Sequence, residues 1–462
     1  MSTFTNWLSP QAAQVDDTKQ SRFYHQLTNW LMVAGIILLT VNSARIVYRS
    51  IYSEVPFVDE WAYTRSIFNL LSSLTPAGAG IAGIESYVGG SGIFGSGLGA
   101  SVFFLGGDLL YSRVTVATLD TLIALFIGFS LFRRWFFGLL QSILGASIFW
   151  GLSVTTPFAL PYWHGFIYNL GELPGALVLA LGLLLWARRP HLAAFFWGLV
   201  AWHTKPVYFP VPLLLTLASA GSFPVPIRGK LSKLAGLLLM FLLPLFIWLI
   251  FAVVRFGIAE ATNQLTTIFG FIGVYNYSHR EFQPLYQLSK IGNPLSLSHL
   301  ISRLNNLEWS HPYYTFGSKL KVVALSLGSV VITLAGLASQ RPADRRAFTT
   351  LASCALSVMV LAYTYWWFML HPTMWIRHFQ PAMYIGLGLW VFWLLQISLR
   401  FSLFDRPHFR WGAIAFATTF VIWQAYFSWG SSTRISDFPT RWRCPIDSFV
   451  LVNPVQATCK KD

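Results

Sequence analysis

Two carboxylates stand side by side directly after the first long apolar run, in Pro56-Phe57-Val58-Asp59-Glu60-Trp61. Acidic groups beside a membrane, in an aromatic setting, are costly unless they are paired or used. Asp59 is placed to accept a proton, and it is equally placed to cap the helix that follows. That helix is legible: Trp61, Thr64, Ile67, Phe68, Leu71 and Leu74 recur at helical spacing, as in an amphipathic helix lying in an interface plane.

Further polar groups sit at the ends of apolar segments. Lys205, in His203-Thr204-Lys205-Pro206, falls at the break of an apolar stretch. An ammonium beside a proline-broken backbone faces a cavity and suits a phosphate. Arg377 and His378 open a late apolar run in Met374-Trp375-Ile376-Arg377-His378-Phe379-Gln380-Pro381, where snorkelling to the interface is the plain alternative. Glu172 begins another run and reads equally as a binding carboxylate or a helix-end residue. Tyr162 and Trp163, with His164, have the composition of an interfacial aromatic belt. Asp108 and Arg113 can simply pair with each other. Neither HExxH nor CxxC occurs, and the other histidines lack ligand spacing, although two acids and a histidine remain a donor set that a divalent metal can use.

What positions these residues is a membrane fold. In 462 residues, 55% are hydrophobic, 17% aromatic and only 11% charged, with mean hydropathy +0.56. Soluble domains carry about 25% charged residues, so this chain cannot cover a water-facing surface with polar groups. The net charge of +15 does not indicate nucleic-acid binding, because the basic residues lie in short clusters between apolar runs rather than on one soluble face. They mark cytoplasmic turns instead.

Apolar runs occupy 27–48, 114–132, 136–154, 170–187, 234–254, 320–338, 348–368, 379–399 and 411–429. The stretch 192–220 is cut at Lys205-Pro206 and fits two short helices meeting at the outer face. The expectation is an all-α, polytopic protein of about eleven transmembrane helices. Arg133-Arg134, Arg188-Arg189, Arg228/Lys230/Lys233, Arg341/Arg345/Arg346 and Arg400/Arg406/Arg410 all fall on one side only if 192–220 crosses twice. The chain then divides into a cytoplasmic segment 1–26 without a cleavable signal, a multi-spanning region 27–430, and an extracytoplasmic tail 431–462. Outer loops fall at 49–113, 155–169, 255–319 and 369–378. Residues 76–107 are roughly one-third glycine and read as a flexible surface loop, since the strand and Lys-Ser/Thr of a phosphate-binding loop are missing. Of three cysteines, Cys354 lies within an apolar run, whereas Cys444 and Cys459 in the tail are expected to form a disulfide in an oxidising compartment.

The acidic pair in the first outer loop, the interfacial helix after it, the basic inner turns, the broken helix pair and the Arg-His-x-x-Pro segment together resemble the C-type (GT-C) superfamily of membrane glycosyltransferases. That resemblance implies transfer of a sugar from a polyprenyl-phosphate donor to a lipid, glycan or protein acceptor on the outer face. It implies Asp59 as the catalytic carboxylate and Glu172 as the nearest match to a second acid. Glu60, Lys205, Arg377 and His378 become donor- and acceptor-binding residues, with Trp61, Tyr162, Trp163 and Tyr365 available to stack on sugar faces. The phosphate is a good leaving group once neutralised, so no obligatory cofactor is expected and a divalent metal is left open. Partners are the lipid-linked sugar, the acceptor and membrane lipids, and the location is a bacterial inner (plasma) membrane with the site facing the periplasm or exterior. Two other readings stand beside it: a flippase for a lipid-linked sugar, and a polysaccharide polymerase or O-antigen ligase using His279, Arg280 and Arg303.

Overall fold

The structure, a computed structural model, describes residues 172–186, 188–204, 208–221, 227–272, 316–340, 347–367 and 379–401, isolated positions within 297–301 and 403–422, and the pairs 442–443 and 460–461. Apart from those two pairs in the tail, the ordered elements among the described residues are helical.

The first of them, α1 (Glu172–Trp186), is leucine-rich and carries Pro174 in its first turn, where a missing N–H costs no helical bond. Its end is tied by the Arg188 and Arg189 amides, which donate to the Leu185 carbonyl at 3.1 and 2.8 Å. Pro190 then starts α2 (Pro190–Leu199), because its fixed φ suits a first helical position. The connection is too short for anything but an antiparallel hairpin. Across it, the Trp197 indole N–H donates to the Leu179 carbonyl at 3.3 Å, and the ring lies over Gly182, where a Cβ would come within 2.2 Å of the indole nitrogen.

A π-helical turn, Val200–Thr204, extends α2. After the break come α3 (Pro210–Gly221) and the long α4 (Ile227–Phe256). The contacts between α2 and α4 advance together along both chains: His191 meets Gly236, Gly198 meets Phe241, Trp202 bonds at Phe241 and His203 at Pro244. The two helices are therefore parallel. A chain that runs the same way twice must return between, and α3 does so: Ala220, at its end, clusters with Ala194 and Leu237 near the starts of the other two. The stretch read as a broken pair is two helices of opposite direction, and Arg188-Arg189 and Lys230/Lys233 lie at one end of the bundle.

Gly257, with φ of +89°, ends α4 and turns the chain into α5 (Ile258–Ile272). This helix lies within a segment read from the sequence as outer loop, so 255–319 is not wholly irregular. It is one-sided: Ala261 and Gln264 are buried while Thr262 and Asn263 are exposed.

The second half repeats the alternation. Helix α6 (Phe316–Ser339) bonds to α7 (Ala347–Tyr365) through Ser326 with Thr364 and Thr333 with Ser357, so that one rises as the other falls. Helix α8 (Gln380–Arg400) runs parallel to α6, with Trp390 over Gly328 and Trp393 over Gly336. One hydrophobic core links α1 through α8, with Trp186, Trp197 and Trp367 among its fully buried side chains, and Trp393 is buried in a smaller cluster with Ile332 and Phe392.

Gly229–Phe256 and Val322–Ser339 are long and apolar enough to cross a membrane. Their outward faces are apolar too: Leu239, Phe246, Ile247, Ile250, Val253 and Val254 on α4, and Leu320, Leu327, Val331 and Leu334 on α6. In water such stripes would be an aggregation hazard, whereas hydrocarbon solvates them without cost. The runs read at 27–48, 114–132 and 136–154 lie outside the described residues.

Candidate functional site: the aromatic end of the bundle

The end opposite Arg188-Arg189 is organised around a proline. Pro244 lies in the interior of α4, where its missing N–H cannot bond the carbonyl four residues back. The π-turn of α2 docks against α4 at this proline. Its wider turn carries Trp202 and His203 onto the α4 side, where the Trp202 N–H donates to the Phe241 carbonyl at 3.0 Å. The His203 Nε2–H donates to the Pro244 carbonyl at 2.8 Å. Thr204 closes the turn, its hydroxyl donating to the Leu199 carbonyl at 3.1 Å. Rings fill the surroundings: Trp202 against Phe209 and Phe241 at 5.2 and 5.7 Å between centroids, and His203 against Trp248 at 6.2 Å. Such single-turn π insertions change which side chains face a neighbour without ending the helix.

The chain leaves this turn at Thr204 and returns at Tyr208, and both residues are fully buried. The three residues between them, Lys205 included, lie outside the described residues. Thr204 and Tyr208, four positions apart in sequence, are the described residues on either side of them.

A second aromatic group stands at the start of α8. Phe379 packs on Trp367 at 5.4 Å and on Tyr363 at 6.1 Å, and Tyr363 lies beside Trp366 at 5.1 Å. Arg377 and His378, just before Phe379 in sequence, are outside the described residues.

The two groups share one level of the bundle. Gly221, the last residue of α3, meets Leu351 near the start of α7, so α7 starts at the level where α3 ends. Climbing α3 back to Pro210 raises the chain about 17 Å. The same climb along α7 reaches the turn before Tyr363. The break after Thr204 and the anchor at Phe379 therefore open on the same end. Glu172 opens α1 at that end as well, since α1 is antiparallel to α2. Tyr365, 40% exposed, is on the last turn of α7 in the same layer. The basic residues Arg188, Arg189, Lys233 and Arg400 are exposed at the other end.

Asp59, Glu60, Trp61, Tyr162, Trp163, Cys444 and Cys459 lie outside the described residues. Sequence reasoning passed over Trp202, His203 and Pro244 as positioning groups. The one available signal was a proline inside an apolar run facing a Trp-His pair in another. No protein-family model, curated protein or solved structure matches the chain.

Proposed function

We propose that this chain is a multi-pass membrane glycosyltransferase that moves a sugar from a polyprenyl-phosphate donor to an acceptor at the outer face of a bacterial inner membrane. The observation that supports the proposal is that Thr204 and Phe379, described residues that lie near Lys205 and Arg377 in sequence, stand at one end of the helix bundle, away from the basic turns. Outward apolar faces on α4 and α6 support the membrane setting.

In this reading the donor's lipid tail stays among acyl chains while its phosphate meets the aromatic end. Lys205 supplies a point charge and Arg377 a planar fork suited to two phosphate oxygens. Asp59 takes the proton from the acceptor hydroxyl as that oxygen bonds to the anomeric carbon. The bond from that carbon to the phosphate oxygen breaks, and polyprenyl phosphate leaves with the electron pair. A single displacement inverts the anomeric centre. Glu60, Glu172 and His378 bind the sugar or acceptor hydroxyls. Trp61, Tyr162, Trp163 and Tyr365 offer ring faces to the sugar.

The test is Asp59→Asn, which keeps the size of the side chain and its ability to cap the next helix. Sugar transfer from a polyprenyl-phosphate sugar is expected to fall ~10²–10⁴-fold at unchanged folded yield. Lys205→Ala and Arg377→Ala are expected to weaken donor binding and turnover together, because phosphate charge is present in the ground state and grows in the transition state. Full transfer by Asp59→Asn overturns Asp59 as the base, and no transfer by the unaltered chain returns it to the flippase reading.

A further inference from the structure

The tail contains one element with no part in the sugar-transfer reading. Two short strands, β1 (Trp442–Arg443) and β2 (Lys460–Lys461), pair antiparallel, with Trp442 opposite Lys461 and Arg443 opposite Lys460. Following this register one step toward the intervening loop leads to positions 444 and 459, and both are cysteine. We infer that Cys444 and Cys459 are joined by a disulfide that locks this ladder and closes the loop 445–458.

Three arguments converge on it. The two cysteines themselves lie outside the described residues, so the register of their neighbours carries the geometry. Opposed residues in an antiparallel pair have Cα atoms about 4.5 or 5.5 Å apart, according to whether the pair is hydrogen-bonded. Both separations lie within the roughly 4.4–6.8 Å that a disulfide spans. Next, a two-stranded ladder this short is marginal on its own in water. This one is weaker still, because Arg443 opposite Lys460 sets like charges at facing positions. A covalent tie at the adjacent pair removes the need for those residues to hold the strands together. Finally, the bundle directions place the basic start of α7 and the end of α8 together. The apolar run 411–429, read from the sequence as one further crossing, would then put the tail on the opposite, oxidising side, where such a bond persists.

The bond forms by thiol–disulfide exchange with an oxidised protein disulfide of the extracytoplasmic oxidase class. One thiolate attacks that disulfide, giving a mixed disulfide and one released thiolate. The second tail thiolate then displaces the oxidase sulfur. The two tail thiols lose two protons and two electrons, and the oxidase leaves as a dithiol.

The test uses the full chain in its native membrane, quenched in acid, denatured and labelled with a maleimide polymer that adds a visible mass per thiol. The chain has three cysteines, so one adduct is expected without reductant and three with it. Cys354→Ser, which leaves the tail intact, is expected to give none and then two. Peptide mapping of the unreduced chain should recover the segments holding 444 and 459 as one linked species. Three adducts without reductant, or a link that involves Cys354, overturns the inference. Neither result bears on Asp59 or on sugar transfer, which the Asp59→Asn assay reads separately.

Discussion

Gly198 shows how much one missing methyl can matter in this bundle. A Cβ at that position would lie 2.1 Å from the Phe241 carbonyl oxygen, and the obstacle is backbone rather than a side chain that could swing aside. Gly198→Ala must therefore push α2 and α4 apart and strain the bonds from Trp202 and His203 just beyond. Overpacking of this kind costs about 1–3 kcal/mol. Gly221→Ala is the matched control, since its Cβ would meet only Leu351 methyls, at 3.7 and 3.8 Å. It is expected to be neutral or slightly stabilising, because alanine suits a helix better than glycine by roughly 0.5–1 kcal/mol. Thermal unfolding in detergent compares the two. Equal midpoints would show that α2 and α4 do not approach as closely as described. The same residue marks a limit of sequence reading. Gly198 sits in Trp197-Gly198-Leu199 like any glycine of an apolar run, and only the approach of Phe241 on α4, more than forty residues later, gives it meaning. Lys205 was legible for the opposite reason: a charge beside a proline, inside 192–220, is an anomaly without any partner in view.

Between helices, the adhesive in α6 and α7 is hydroxyl rather than hydrocarbon. Ser326, Ser329, Thr333, Ser353, Ser357 and Thr364 are all buried. Each hydroxyl that bonds back to a carbonyl on its own helix is already satisfied in part, as Ser326 is to Val322 and Ser357 to Ser353. Cross-helix bonds such as Thr333 to Ser357, at 2.7 Å, are then increments on a satisfied group. In lipid such increments average about 0.6 kcal/mol and reach about 1.7, because a separated helix also finds partners for its hydroxyls. A double-mutant cycle with Thr333→Val and Ser357→Ala is expected to give a coupling energy in that range. Strict additivity would mean the contact contributes nothing to holding α6 on α7. Element boundaries were largely legible here: the run 320–338 became Phe316–Ser339, and 379–399 became Gln380–Arg400. Hydropathy reports such helices well because hydrocarbon, not a distant part of the chain, decides them. It missed α5, whose mixed Ile258–Ile272 sequence is sided rather than uniformly apolar.

Across the whole molecule, the alternation of basic turns carried more than any single motif. It pointed to a reversal within 192–220, and the parallel course of α2 and α4 with α3 returning between them is such a reversal. The candidate site was less legible, since its shape depends on the contacts at Pro244 and on the π-turn, and neither has a periodicity to detect. That short pair also has an electrical consequence. Helix α2 with its π-turn is 10 plus 5 residues, a reach of about 22 Å, against a hydrocarbon thickness of about 30 Å. On the proposed topology, with the start of α2 at the inner surface, the turn at Thr204 stops about 8 Å short of the outer one, roughly a quarter of the way into the membrane field. A monoanionic phosphodiester drawn down to that depth moves toward the negative interior, at a cost of about 0.6 kcal/mol per 100 mV, a quarter of the full-crossing value. Donor affinity in sealed vesicles should accordingly rise about threefold when an imposed inside-negative potential of about 100 mV is collapsed with an ionophore. Affinity indifferent to voltage would place the phosphate at the surface, above the broken helix. The resting potential of the cell would thus act as a standing weight on substrate loading, lifted whenever the membrane is de-energised.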